Sequence, residues 1–258
     1  MKRTSLLATF LAVCLLAAAQ SHDFRFFSIP ELPVAYQGFA GKVGSHFFMM
    51  NRFNPEGLDL YIYDTASLTG SNRLYGFPRQ ITAIIAKEKS LVFIALTRHS
   101  KGVSYHYLEL DEKGDSIHRK STELEGVNSA LRTIISPDQK HILFFQHFKA
   151  GADSAVVHGT MISADGAVEK NLDYVYKHDK ERDDEPELFV DNNGSTHIFV
   201  YDKYNNYRIS TEFNINTIPF NEEVMITETF SLQKTKLKTA SIFQNTASNC
   251  TSVGISLK

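Results

Sequence analysis

Four short apolar runs joined by tight turns recur along this chain, and that repeat limits the possible folds more than any other feature. "ITAIIA" (81–86), "LVFIALTR" (91–98), "VSYHYLEL" (103–110) and "SIHRKSTEL" (116–124) are rich in β-branched and aromatic residues and are separated by "KEKS", "HSKG" and "DEKGD". Such runs bounded by Gly, Asn, Asp, Ser and Lys clusters are strand and hairpin signals. The same order returns at 131–136, 141–148, 154–163 and 168–177, and again at 186–191, 195–202, 207–215 and 223–232. An earlier set occupies 35–40, 46–53, 58–64 and 72–77. Met49, Ile94, Phe145 and Phe199, at the middle of each second strand, are separated by 45, 51 and 54 residues. A four-strand unit with a period near 40–50 residues is the signature of a propeller blade.

The expected fold is therefore all-β: a β-propeller of four-stranded antiparallel blades, four to five of them present, with the last incomplete. The blades are expected at 35–77, 81–124, 131–177 and 186–232, with a partial one at 236–258. The second strands are apolar on both faces, as a sheet between two neighbours requires, and the fourth strands are more polar, as suits a rim. A β-sandwich also uses many short strands, but it does not repeat a four-strand unit. "KLKTASIFQ" (236–244) and "CTSVGISL" (250–257) supply only two strands of a fifth blade. "FRFFSI" (24–29) is a candidate third strand, and the alternative is that the chain is a piece of a longer propeller.

The N-terminus carries a different pattern. Lys2 and Arg3 precede an apolar stretch, Leu6 to Leu16, and Ala17-Ala18-Ala19 before Gln20. A positive n-region, an apolar core and a small-residue cleavage site together read as a secretory signal peptide over residues 1–19. Residues 20–258 are then one exported domain, placed in the periplasm or at the cell surface. Cys14 would leave with the signal, so Cys250 would have no internal disulfide partner; on a predicted strand it reads as core rather than as nucleophile. No later run reaches the length of a membrane-spanning helix. Loss of Lys2 and Arg3 would move the formal net charge from −2 to −4, and a weakly acidic domain without a basic stripe is a poor nucleic-acid binder.

Sequence signals for chemistry are sparse. The chain has no Gly-x-Ser-x-Gly elbow, no His-Glu-x-x-His and no phosphate-binding Gly loop. "HDKERDDEPE" (178–187) is the densest cluster of ionisable groups. It fails the calcium-loop pattern, because a start at Asp179 puts Asp184 at the sixth position and Val190 at the twelfth, where Gly and Glu are required. Its place in the repeat is the connection into a new blade, with Pro186 opening the strand and Asn192-Asn193-Gly194 turning the following hairpin. Loops entering first strands gather at one face near the central channel, where propellers usually bind ligands. Asp183, Glu185 and Glu187 are thus the candidate catalytic carboxylates of an alternative reading, a polysaccharide hydrolase or lyase with paired acids. The main reading is a non-enzymatic binding or scaffold module, monomeric if complete, with no cofactor or metal and an unidentified protein or glycan ligand. The chain lacks Trp, but Tyr105, Tyr107, Tyr201, Tyr204 and Tyr207 are available to stack on a sugar.

"IISPDQKHILFF" (134–145) is similar to the Ser-Pro-Asp-Gly-Lys turn of TolB-type and WD40-like propeller repeats, with Gln139 where Gly is usual. More broadly, residues 131–255 resemble a family of exported proteins of Bacteroidota. The resemblance runs through Ser136 to Leu143, the charged segment His178 to Glu187, Val190 to Val200 and the late hairpin Ser241 to Ile255. It implies the propeller fold and export, and it implies no activity.

Overall fold

The computed structural model describes residues 38–51, 54–100, 102–124, 131–178, 186–201, 212–231, 237–245 and 250–257. Contacts divide the chain into two units, Met1–Pro33 and Val34–Lys258. The first unit, and with it the expected signal peptide and the strand at 24–29, lies outside the described residues.

Every regular element among the described residues is a strand, and no helix there is long and apolar enough to cross a membrane. The first sheet is β1 (Gly38–Val43), β2 (His46–Asn51), β3 (Leu58–Asp64) and β4 (Thr69–Tyr75). The second is β5 (Ile81–Ala86), β6 (Ser90–His99), β7 (Gly102–Asp111) and β8 (Ser116–Leu124). The third is β9 (Arg132–Ile135), β10 (His141–Lys149), β11 (Ser154–Ser163) and β12 (Val168–Lys177). The fourth is β13 (Glu187–Val190), β14 (Thr196–Tyr201), β15 (Glu212–Ile218) and β16 (Ile226–Ser231). Each is an antiparallel meander in which sequence order and spatial order coincide. β17 (Leu237–Asn245) and β18 (Cys250–Leu257) form a separate two-stranded sheet. The chain is an all-β propeller with four complete blades, as the repeat predicts.

Alternation within the second strands shows how the blades stack. Along β6, Leu91, Phe93 and Ala95 join an apolar cluster with Phe48, Leu60 and Ile62 of the first blade. Their neighbours Val92 and Ile94 face the other way and join Ile142 and Phe144 of the third blade. β10 repeats the arrangement, because Leu143 and Phe145 meet Ile198 and Val200 of the fourth blade. A strand buried on both faces reads as a continuous apolar run, which is why "LVFIA" and "ILFF" show no polar alternation. Fully burying side chains of this size contributes about 1.5–3 kcal/mol each. The fourth strands are the rim. β8 keeps Ile117 through Arg119 exposed, and charged residues on such an edge discourage pairing with other chains.

The Ser136–Lys140 turn between β9 and β10 explains the resemblance to propeller repeats. Ser136 Oγ donates to Asp138 Oδ1 at 2.7 Å, and Ser136 Oγ accepts the His141 backbone N–H at 3.0 Å. The Gln139 N–H donates to Ser136 O at 2.8 Å. The turn places Gln139 at φ 61°, in the left-handed region, where a Cβ costs roughly 1–2 kcal/mol. Gln139→Gly is therefore expected to raise stability, by up to about 1 kcal/mol once the extra flexibility of unfolded Gly is deducted. An unchanged or lower urea midpoint would show that the Gln139 side chain offsets its own strain.

Candidate functional site

Several polar constellations among the described residues join one blade to the next. The third-to-fourth-strand turn of a blade leans on the blade before it, and side-chain donors of that earlier blade bind its carbonyls. Tyr75 Oη donates to Gly114 O at 2.6 Å, from the first blade to the second. Tyr105 Oη donates to Gly166 O at 2.6 Å, Tyr107 Oη to Ala164 O at 3.0 Å and Lys120 Nζ to Gly166 O at 3.0 Å, from the second blade to the third. Lys170 Nζ donates to Pro219 O at 2.7 Å, Phe220 O at 3.1 Å and Glu222 O at 2.8 Å, from the third blade to the fourth. Burial pushes the Tyr75 hydroxyl up to about 12, so it remains a donor at any physiological pH.

These contacts correct one expectation. Tyr105 and Tyr107 are fully buried, so they have no face to offer a sugar. Tyr105 stacks on Phe144, with ring centroids 6.0 Å apart, and its hydroxyl is spent on the clasp. The physical reason is parity: Val103, Tyr105 and Tyr107 point to one side of β7, into the space between blades. Tyr201 is half-buried against Phe199, and Tyr204 and Tyr207 lie outside the described residues.

The densest ionic cluster sits beside the same clasp. Lys87 Nζ donates to Asp165 Oδ1 at 2.7 Å, Glu109 Oε1 at 3.1 Å and Tyr107 Oη at 3.2 Å. Glu109 also accepts from Ser90 Oγ at 2.5 Å and Tyr107 Oη at 2.8 Å. Burial alone would raise the Glu109 carboxyl, but the bonds from Ser90, Tyr107 and Lys87 outweigh it and hold the group below its ordinary value. Burial would lower Lys87, yet the bonds from Asp165, Tyr107 and Glu109 hold it above its ordinary range. An acid held ionised and an amine held protonated are poor proton shuttles at neutral pH. The cluster is a joint.

A hydroxyl–imidazole–carboxylate line occurs in the fourth blade. Thr217 Oγ1 lies 3.0 Å from His197 Nδ1, and Asp191 Oδ2 lies 3.3 Å from His197 Nε2. The order is that of a nucleophile, a base and an orienting acid, but its surroundings are structural. Asp191 accepts the backbone N–H groups of Asn193 and Ser195 and so closes the β13–β14 turn. His197 is stacked 4.5 Å from Phe189 at an interplanar angle of 10°. Thr217 sits in β15, between β14 and β16. The His141–Glu169 pair, 2.8 Å apart, is likewise packed against Phe220 of the next blade.

The candidate carboxylates from the acidic run are divided. Glu187 opens β13 and is half-buried. Asp183 and Glu185 lie outside the described residues. Gly194 takes φ 79° in the expected turn after β13.

The open polar surface lies at the entrance to β5. One cleft of about 380 Å³ is lined by Met50 and by Arg79 through Ile84. A neighbouring one of about 430 Å³ is lined by Pro78, Arg79, Gln80, Leu96, Thr97 and Arg98. They share Arg79 and Gln80, and neither is lined by a carboxylate. The side chains of Arg79, Gln80 and Arg98 are exposed, with no hydrogen-bond or ion-pair partner among the described residues. Arg119 donates to Gly76 O, so a third guanidinium anchors the same connection. Burial and then the Arg119 charge both hold the neighbouring His106 imidazole below its ordinary pKa.

Backbone irregularity occurs at this end of the blades, as it does at the ends of β7 and β11. The β5–β6 ladder shifts register between Ile81 and Ala83, leaving Thr82 as an extra residue, and the β1–β2 ladder shifts between Phe39 and Gly41. Both bulges lie at the start of a first strand. Bulges re-aim side chains and are frequent beside functional sites. No sequence signal pointed to Arg79 or Arg98, because a bulge is invisible in strand alternation and single arginines in turns are ordinary.

No protein-family model matches the chain, and no curated protein sequence does. Among solved structures it is similar to a Synechocystis apocarotenoid oxygenase, with 11% identity over 84% of this chain and 59% of the oxygenase and a TM-score of 0.36. The endo-arabinase from Bacteroides thetaiotaomicron shows 13% identity over 82% of this chain and 84% of the arabinase, TM-score 0.32. Kuenenia stuttgartiensis hydrazine synthase shows 13% identity over 81% and 70%, TM-score 0.31. The chain spans about 60% of the length of the oxygenase structures. Similarity this distant transfers neither a substrate nor a catalytic residue.

Proposed function

We propose that the chain is an exported propeller that binds a ligand at the β5-entrance cleft without transforming it. One observation carries this reading. The Lys87–Glu109–Asp165 cluster is spent on joining blades, whereas the cleft at the β4–β5 connection presents unpartnered arginine and amide groups and no carboxylate. Largely apolar clefts of a few hundred Å³ with a few convergent polar groups are the usual form of ligand sites. Export rests on the n-region, apolar core and Ala-Ala-Ala site of residues 1–19. The hydrolase or lyase alternative rests on the acidic run, with Asp183, Glu185 and Glu187 as its acids.

Protein recovered from the exported fraction is expected to begin at or near Gln20 by N-terminal sequencing. The processed protein, incubated with acidic and neutral polysaccharides, should release no reducing ends and no unsaturated products. A retained Met1 contradicts export. Product formation that disappears in Asp183→Asn or Glu185→Gln contradicts the binding role and establishes the alternative.

A further inference from the structure

We infer that the cleft at the entrance to β5 is an oxyanion site, built to take the carboxylate of an acidic saccharide between Arg79 and Arg98. The inference rests on the binding reading above and adds the chemical class of the ligand.

The charge around the cleft is one-sided in a chain whose net charge is negative. Arg79 and Arg98 both line the larger depression. Among the other described arginines, the side chains of Arg73 and Arg119 are engaged, with Asp115 and with Gly76 O. Lys87 has two carboxylates, Arg73 meets Asp115 at 3.2 Å and Lys140 meets Asp138 at 3.3 Å. Arg79 and Arg98 are left without a side-chain partner among the described residues, and both are at one cleft. A guanidinium presents a planar fork of donors that matches a carboxylate in two parallel bonds.

The rest of the lining fits a sugar ring. Half-buried Ile84 supplies apolar surface in the smaller depression, floored by the buried Met50 and Ala83. Gln80, shared by both depressions, and Thr97 in the larger one offer donors and acceptors for ring hydroxyls. The two depressions, of about 380 and 430 Å³, share Arg79 and Gln80 in their linings. The bulge at Thr82 belongs to the same design. Thr82 Oγ1 donates to Ile94 O at 3.3 Å, pinning the extra residue between the Ile81–Ala95 and Ala83–Ile94 pairs.

The oxyanion could come from a glycan or from a free anion, and the probes separate the two. Processed wild-type protein, Arg79→Gln, Arg98→Gln and the exposed control Lys113→Gln are titrated calorimetrically with trigalacturonate, its carboxyl-reduced neutral trimer and inorganic phosphate, at low and high salt. Trigalacturonate is expected to bind wild type and the control alike. Each cleft variant should weaken it about tenfold or more, and high salt should weaken it in wild type, since exposed charge pairs are screened. Phosphate binding with the same arginine dependence, without trigalacturonate binding, assigns the site to a free anion and overturns the saccharide source. If the neutral trimer binds all proteins equally, the oxyanion inference fails while the binding module stands. If trigalacturonate is bound and cleaved, the inference stands and the non-enzymatic reading fails. Failure of both anions to bind wild type overturns the inference. Thermal unfolding of each variant confirms that any loss is not misfolding.

Discussion

Replacing Phe144 with Ala should cost the folded protein about 3–5 kcal/mol, the usual range for removing a buried aromatic ring. Phe144 has no exposed surface, stacks on Tyr105 and sits between the second and third blades among Ile142, Ile94 and Val92. Its loss opens a cavity at a junction where β-strands from two sheets meet, and ladder hydrogen bonds limit how far either sheet can collapse into it. Phe148, four residues on in the same strand, is 46% exposed, and Phe148→Ala should cost under about 1 kcal/mol. Urea unfolding of the two variants checks the contrast. Similar losses at both positions would contradict the assignment of Phe144 to a blade interface.

Glu109→Ala should cost about 2–3 kcal/mol, because three donors lose a charged acceptor at once. Ser90 is buried and would keep an unsatisfied hydroxyl; Lys87 would retain only Asp165 and Tyr107. The pH dependence has a definite sign. The folded-state pKa of Glu109 is depressed below its ordinary value of 4.5, so the folded state favours the ionised form. Its contribution is present in full above that ordinary value and is lost as pH falls through the folded-state pKa. The stability gap between wild type and Glu109→Gln should therefore be constant near neutrality and close on acidification below about 4.5. A gap that persists unchanged to pH 3 would mean that the ionised carboxylate is not what holds the joint.

The blade boundaries were legible because a doubly buried strand and a rim strand differ in composition. "LVFIALTR" and "SIHRKSTEL" announce their depths without any tertiary information. The expected ranges 81–124 and 131–177 agree with the second and third sheets to within a residue at each end. The Ser-Pro-Asp-x-Lys turn was legible for a related reason, since its side-chain bonds are local.

The inter-blade contacts were less legible. Glu109 follows Val103, Tyr105 and Tyr107 on one face of β7, and an acid in that series is a signal of a partner across a junction. Nothing local names Lys87 or Asp165 as that partner, because they are separated from it by a hairpin and by a whole blade. The sequence offers Tyr105 and Tyr107 for stacking because tyrosine alternation looks the same whether the face is open or covered. The cleft was hidden for a third reason. Thr82, at a register shift, lines part of it, and register belongs to the pairing of two strands rather than to either sequence alone.

Hydrogen exchange of the protein with and without saturating trigalacturonate reports where the ligand sits. Slowed exchange is expected only at the β4–β5 connection and the start of β5, residues 79–84, and at the end of β6, residues 96–99, with the trimer recovered intact. Slowed exchange at the Lys87–Glu109 joint or along the rim strands instead, or recovery of a shortened sugar, would contradict it.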